Sequence, residues 1–119
     1  MTEHDLQASI VAECALRANQ DHAYSMLFAV PNGGDRNVIV ARKLKAEGVK
    51  RGVPDLVLPV ARHGMHGLFL ELKIRPNKPS KEQKAWAKHL IAEGYMVATV
   101  YDDPVEAMRL ITWYVEGDR

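Results

Sequence analysis

Long hydrophobic runs are missing from this 119-residue chain. No apolar stretch approaches the roughly 20 residues that cross a bilayer, and Thr2, Glu3, His4 and Asp5 lack the basic-then-apolar layout of a secretory signal. A soluble, cytoplasmic protein that does not engage a membrane is expected. Cysteine is almost absent as well: the lone Cys14 excludes an internal disulfide framework and a cysteine-based zinc cluster, so packing must hold the fold in a reducing compartment. Aromatic residues are sparse, yet apolar residues make up 47% of the chain, enough to bury the core of one compact domain over 1–119.

A strong overall charge is also lacking, since the formal net charge is +1, but the charges are unevenly spread. From Arg36 to Lys88 there are 13 Lys or Arg against 4 Asp or Glu, whereas the rest of the chain has 3 against 11. A basic middle between acidic ends suits a polyanion such as DNA, because neutralising phosphates releases counterions. Ordinary solvated faces would give the same counts half the time.

The spacing of apolar residues predicts eight elements. Leu6, Ile10, Cys14 and Ala18 recur every four residues, giving a helix over 3–18 with Thr2 as N-cap and acids in its first turn. Tyr24 to Val30 reads as a strand ended by the turn residues Pro31, Asn32, Gly33 and Gly34. A helix over 37–47 carries Arg42, Lys43 and Lys45 and stops at Gly48. Strands at 53–60 and 68–74 flank a glycine-bounded loop and should form a hairpin. Ser80 with Gln83 makes a capping box for a helix through Trp86, Leu90 and Ile91 that Gly94 ends. A strand at 95–101 follows. Asp102 or Asp103 then caps a last helix, with Pro104 in its first turn and an apolar face of Val105, Met108, Ile111, Thr112 and Val115. This order implies an α/β or α+β fold with a mixed sheet of about four strands flanked by helices.

The chemistry concentrates on the hairpin. Side chains alternate along a strand, so Leu68, Leu70, Leu72 and Ile74 share one face while Phe69, Glu71 and Lys73 share the other. The α-carbons of Glu71 and Lys73 are then roughly 6.6 Å apart, close enough for both tips to meet one bound atom. Alone, an amphipathic strand with solvated charges is the commoner meaning of such a pattern. Asp55, behind Pro54 at the mouth of an otherwise apolar strand, would alone be a turn residue. The hairpin brings the three together, and two carboxylates beside an ammonium need a reason. Magnesium supplies one, because it favours oxygen ligands and takes one or two carboxylates together with a substrate phosphate. Asp55 and Glu71 would be ligands, and Lys73 would orient or help deprotonate a water that hydrolyses a phosphodiester.

Pro54-Asp55 followed by Glu71-Leu72-Lys73 resembles the PD-(D/E)xK nuclease signature. The fuller wording, Gly52-Val53-Pro54-Asp55-Leu56, the strand Leu68-Phe69-Leu70-Glu71-Leu72-Lys73, and Gln83 with Trp86, resembles the VRR-NUC (virus-type replication-repair nuclease) family. Pro31-Asn32-Gly33-Gly34 and Glu47-Gly48-Val49 are similar to its phage-type, stand-alone members. The resemblance implies a restriction-endonuclease-like core and a metal-dependent endonuclease acting on branched DNA such as Holliday junctions, working as a homodimer in a phage or bacterial host cell. A flap nuclease or nickase within a larger complex, or a catalytically silent DNA-binding subunit, are the alternatives. It implies Asp55, Glu71 and Leu72 as metal ligands for Mg2+, with Mn2+ as a substitute, and no organic cofactor. Catalytic roles would fall to Asp55, Glu71, Lys73, Gln83 and a first-helix glutamate, Glu3 with Gln7 one turn on, or else Glu13. Gln83 serves equally well as a helix cap, and Glu3 as a helix-dipole acid.

DNA-binding residues are expected at Arg42, Lys43, Lys45, Arg51, Arg75, Lys78, Lys81, Lys84 and Lys88, gripping phosphates without reading sequence. His63 and His66 are read as solvated loop residues, Trp86 as core, and Trp113 is left open between core and base stacking. Met108, Trp113 and Tyr114 could supply part of a dimer contact, although core packing is the commoner use for most of them.

Overall fold

A computed structural model describes residues 1–31 and 38–117. The expected turn at Asn32, Gly33 and Gly34 lies outside the described residues. The elements are α1 (Glu3–Arg17), a 3-10 turn (His22–Met26), β1 (Phe28–Ala29), α2 (Val38–Ala46), β2 (Leu56–Leu58), β3 (Leu68–Lys73), α3 (Lys81–Ala92), β4 (Met96–Tyr101) and α4 (Pro104–Glu116). The strands form one mixed sheet in the order β1-β2-β3-β4, flanked by the helices. β1, β2 and β3 pair antiparallel, so the expected hairpin is present, and β4 lies parallel to β3. A parallel neighbour needs a crossover, which α3 provides.

Local chemistry sets the element ends. Thr2 and Asp5 form a reciprocal capping box at α1, Ser80 and Gln83 form another at α3, and the Asp103 side chain accepts from Val105 N at α4. Asp102 is therefore not the cap; it sits one residue earlier at φ 62° and closes the end of β3 instead. Gly48 stops α2 at φ 97°, a conformation that strains any other residue.

The core lies between one sheet face and the α1–α4 pair, where Leu6, Ile10 and Cys14 meet Leu68, Leu70, Leu72, Ile111 and Tyr114. Each such side chain taken from water contributes ~1.5–3 kcal/mol. The Cys14 thiol is pushed up to about 11 by burial, which keeps it protonated and unreactive. The last turn of α4 is fastened from three directions. The Tyr24 hydroxyl donates to Glu116, Arg62 Nε donates to Val115 O at 3.1 Å, and His63 Nε2 donates to Trp113 O and Tyr114 O at 3.2 and 3.0 Å. Tyr114 in turn donates its hydroxyl to Val60 O at 2.7 Å.

Several expectations are corrected. Tyr24 to Val30 is not one strand: Asp21 accepts from Ala23 N and starts a 3-10 turn that buries Tyr24, leaving only Phe28–Ala29 to pair. The second expected strand shrinks to Leu56–Leu58 because Gly52 and Pro54 are spent on seating the loop before it. A Cβ at Gly52 would stand 2.7 Å from the Glu82 backbone, so only glycine lets this loop rest on α3. Val105 is exposed, and the buried face of α4 instead includes Ala107 and Tyr114. His63 and His66 are exposed loop residues as expected, with His63 stacked on Trp113 at 4.2 Å and His66 edge-on to Tyr95. Trp86 is half-buried, not core, since α3 buries no residue fully. Met108 and Tyr114 pack in the core, the commoner use expected for most of these residues, and are unavailable for a dimer contact.

Candidate active site

β2 and β3 pair with Leu56 opposite Leu70, and continuing that register by one residue sets Asp55 across from Glu71. Asp55 Oδ2 accepts a hydrogen bond from Leu72 N at 2.7 Å, which fixes its carboxylate against the backbone between Glu71 and Lys73. Val30 N donates to Asp55 O at 2.9 Å and ties the same residue to the end of β1. Asp55 and Lys73 are half-buried, while Glu71 is only 4% exposed.

A buried carboxylate must be neutralised, hydrogen-bonded or ligated. Glu71 Oε1 accepts from Gln83 Nε2 at 2.9 Å. The same Gln83 amide accepts from Ser80 N at 2.7 Å through its oxygen, so the cap expected from the sequence also sets this amide against Glu71. Fixing Oε1 of the amide to the cap aims its NH2 at Glu71. Glu71 Oε2 is buried and has no hydrogen-bond partner. Burial first, then the closeness of the Asp55 carboxylate, push the Glu71 carboxyl up to about 9, with Lys73 pulling the other way and Glu3 adding a small push. An orphaned buried oxygen beside a second carboxylate calls for a proton or a cation. Hard oxygen donors from Asp55 and Glu71, with a backbone carbonyl from Leu72 between Glu71 and Lys73, fit a hard divalent ion.

Glu3 is near enough to act on Glu71 through its charge, whereas Glu13 pairs with Arg17 at 3.6 Å. Among the described residues no three His, Cys, Asp or Glu side chains gather as a ready metal cluster, so Glu3 stands beside the carboxylate pair without joining it. Gln7 is half-buried.

The expected DNA-binding residues are all exposed: Arg42, Lys43 and Lys45 on α2, Arg51 in the loop before β2, Lys78 ahead of α3, and Lys81, Lys84 and Lys88 along α3. Arg75 is exposed too, but it is already engaged. Its backbone N and its Nη1 each donate to the Asp102 carboxylate at 2.8 Å, and its guanidinium lies 5.0 Å from the centre of the Tyr101 ring. The sequence reading assigned nothing to Thr99 or Tyr101, which pair with Glu71 and Lys73 across β3 and β4. Only the parallel register brings them to the site, and no short-range pattern announces it.

The family model described as "VRR-NUC domain" matches residues 2–103. The chain belongs to the VRR-NUC family. VRR-NUC proteins are nucleases of the PD-(D/E)xK type, for which DNA is the implied substrate and a divalent metal the usual requirement. A solved structure titled "VRR_NUC domain protein" is similar over 98% of this chain and 89% of its own, with a TM-score of 0.77 and 25% identity. No curated protein matches. Among the described residues, no helix of this VRR-NUC chain is long and apolar enough to cross a membrane.

Proposed function

We propose that this VRR-NUC protein is a magnesium-dependent endonuclease that hydrolyses DNA phosphodiester bonds at Asp55, Glu71 and Lys73. The observation that carries this reading is the buried, unpartnered Glu71 Oε2 beside Asp55. Such an arrangement is costly for a protein with no use for a cation. Asp55 and Glu71, with the Leu72 carbonyl, would hold the ion. When bound, it would polarise the phosphoryl oxygen and supply positive charge. The Lys73 ammonium donates to the attacking water and orients it, the water's proton leaves to solvent, and the ammonium charge offsets the negative charge building on the phosphoryl oxygens. Gln83 holds Glu71 so that Oε2 faces the ion. Glu3 adds a carboxylate at the rim.

The basic residues of α2, the Arg51 loop and α3 would grip phosphates on either side of the cut without reading bases. A chain this small has little room for a sequence-reading module, which favours recognition of DNA shape, and branched DNA cut by a homodimer is the specific form we propose. Incubating labelled four-way junction, flap and linear duplex with magnesium or EDTA tests both levels. Cleavage should need the metal and favour the junction. Asp55→Asn, Glu71→Gln and Lys73→Ala should each lower the rate by about two orders of magnitude or more while the protein stays folded. Full activity in any one removes that residue from the site, and cleavage in EDTA refutes the metal.

A further inference from the structure

Thr99 stands in the middle of β4, directly across from Glu71 in the parallel pairing, with Tyr101 across from Lys73 and Val97 across from Phe69. Paired residues of neighbouring strands project to the same face, so the Thr99 side chain rises beside Glu71 at the strand spacing of ~4.8 Å. α3 packs over β4 and leaves Val97 and Tyr101 half-buried, yet Thr99 is exposed. Its hydroxyl has no hydrogen-bond partner among the described residues.

The backbone of the same residue is also open. Met96 N donates to Gly67 O and Asp102 N to Lys73 O, so the even-numbered residues of β4 face β3. The N–H of Thr99 therefore points off the sheet, because β4 is the last strand in the order β1-β2-β3-β4. One residue thus offers a hydroxyl on the site face and an amide at the sheet edge, beside the carboxylate pair and the Lys73 ammonium. Arg75, the nearest cation beyond Lys73 on the same segment, is held by Asp102.

We propose that Thr99 is a substrate-binding residue whose hydroxyl donates to a non-bridging oxygen of the phosphate next to the scissile one, holding the DNA strand across the edge of β4. This rests on the nuclease reading and names a contact that the signature residues do not include. A threonine kept only for its strand preference would sit here equally well, and the test separates the two.

Thr99→Val keeps the shape and the β-branch and removes only the hydroxyl; Thr99→Ser keeps the hydroxyl and loses a methyl. DNA binding is measured in calcium, single-turnover cleavage in magnesium, and both are repeated with an uncharged methylphosphonate at each phosphate flanking the cut. Thr99→Val and Thr99→Ala should weaken binding about tenfold or more, as expected for a lost hydrogen bond to a charged group. Thr99→Ser should stay within about threefold of the parent, and one methylphosphonate position should erase the difference between Val and parent. The thermal midpoint should hold or rise in Thr99→Val, since valine suits a strand. Parental binding by Thr99→Val, a Ser variant as weak as Val, or a deficit that persists at every methylphosphonate position would overturn the proposal. A parent chain that binds DNA but cuts nothing would instead count against the nuclease reading, with the binding comparison still deciding the role of Thr99.

Discussion

Among the described residues Glu71 carries the clearest energetic contradiction, a carboxyl at the centre of a sheet with one oxygen unpartnered and its pKa raised to about 9 from 4.5. Without metal, the folded chain keeps this proton while the unfolded chain gives it up as the pH climbs through that window. Stability should therefore be greatest near the lower end, fall as pH rises, and level off above about 9. Thermal melts in EDTA should show this slope, and Glu71→Gln should flatten it and melt higher at neutral pH. An unchanged slope in Glu71→Gln would assign the pH dependence elsewhere. A bound cation replaces the proton, so metal affinity should tighten by about tenfold per pH unit below the same limit, with proton release. Residue chemistry was legible from the sequence here because Asp55 stands just before β2 and Glu71 and Lys73 lie on β3, and the pairing of these two strands follows from the one loop that joins them. Thr99 and Asp102 were not, since each reaches the site through a parallel pairing that closes only after α3 has crossed the sheet.

Elements with side-chain caps were readable, as were β3 and β4, whereas the segments shaped by distant packing, the 3-10 turn and the short β1 and β2, were not. The boxes Thr2–Asp5 and Ser80–Gln83 are three-residue patterns, and α1 and α3 start where they say. The 3-10 turn at His22–Met26 escaped notice because Tyr24, a good strand former, is drawn inward by Glu116 at the far end of the chain. Its signal was Asp21, a capping residue that a strand would not need. Along α3, Lys81, Lys84 and Lys88 are exposed at intervals that share a helix face, next to the amide that holds Glu71. Replacing each by Ala should weaken DNA binding for all sequences alike and lower the slope of log affinity against log salt by about one. Arg75→Ala should change that slope less, its charge being met by Asp102 at 2.8 Å. Filter-binding or fluorescence titrations across a salt series would measure both, and equal slopes for the parent and the α3 variants would remove this helix from the interface.

At the scale of the whole molecule, the uneven charge of the sequence becomes two sides. The acidic ends fold into α1 and α4, packed together behind the Leu68, Leu70 and Leu72 face, while the basic α3 lies over the Glu71 face. A molecule polarised in this way should meet DNA in a preferred orientation. A four-way junction has two-fold symmetry, and two copies of one site related by the same symmetry would cut it evenly. A homodimer is expected in sedimentation or light scattering at assay concentrations; a monomer that makes paired cuts on junctions would defeat it. Of the three aromatic and apolar α4 residues that the sequence offered for such a contact, only Trp113 keeps surface, and His63 already stacks on it. That end of α4 has a further meaning. The carbonyls that normally leave a helix terminus open to fraying are here occupied by side chains from the loop after β2, and Glu116 is held by the turn after α1. Loss of structure should not begin by peeling back this terminus, so its amide hydrogens should be among the slowest in the chain to exchange, and opening should start at helices such as α2 and α3, which bury none of their own side chains fully.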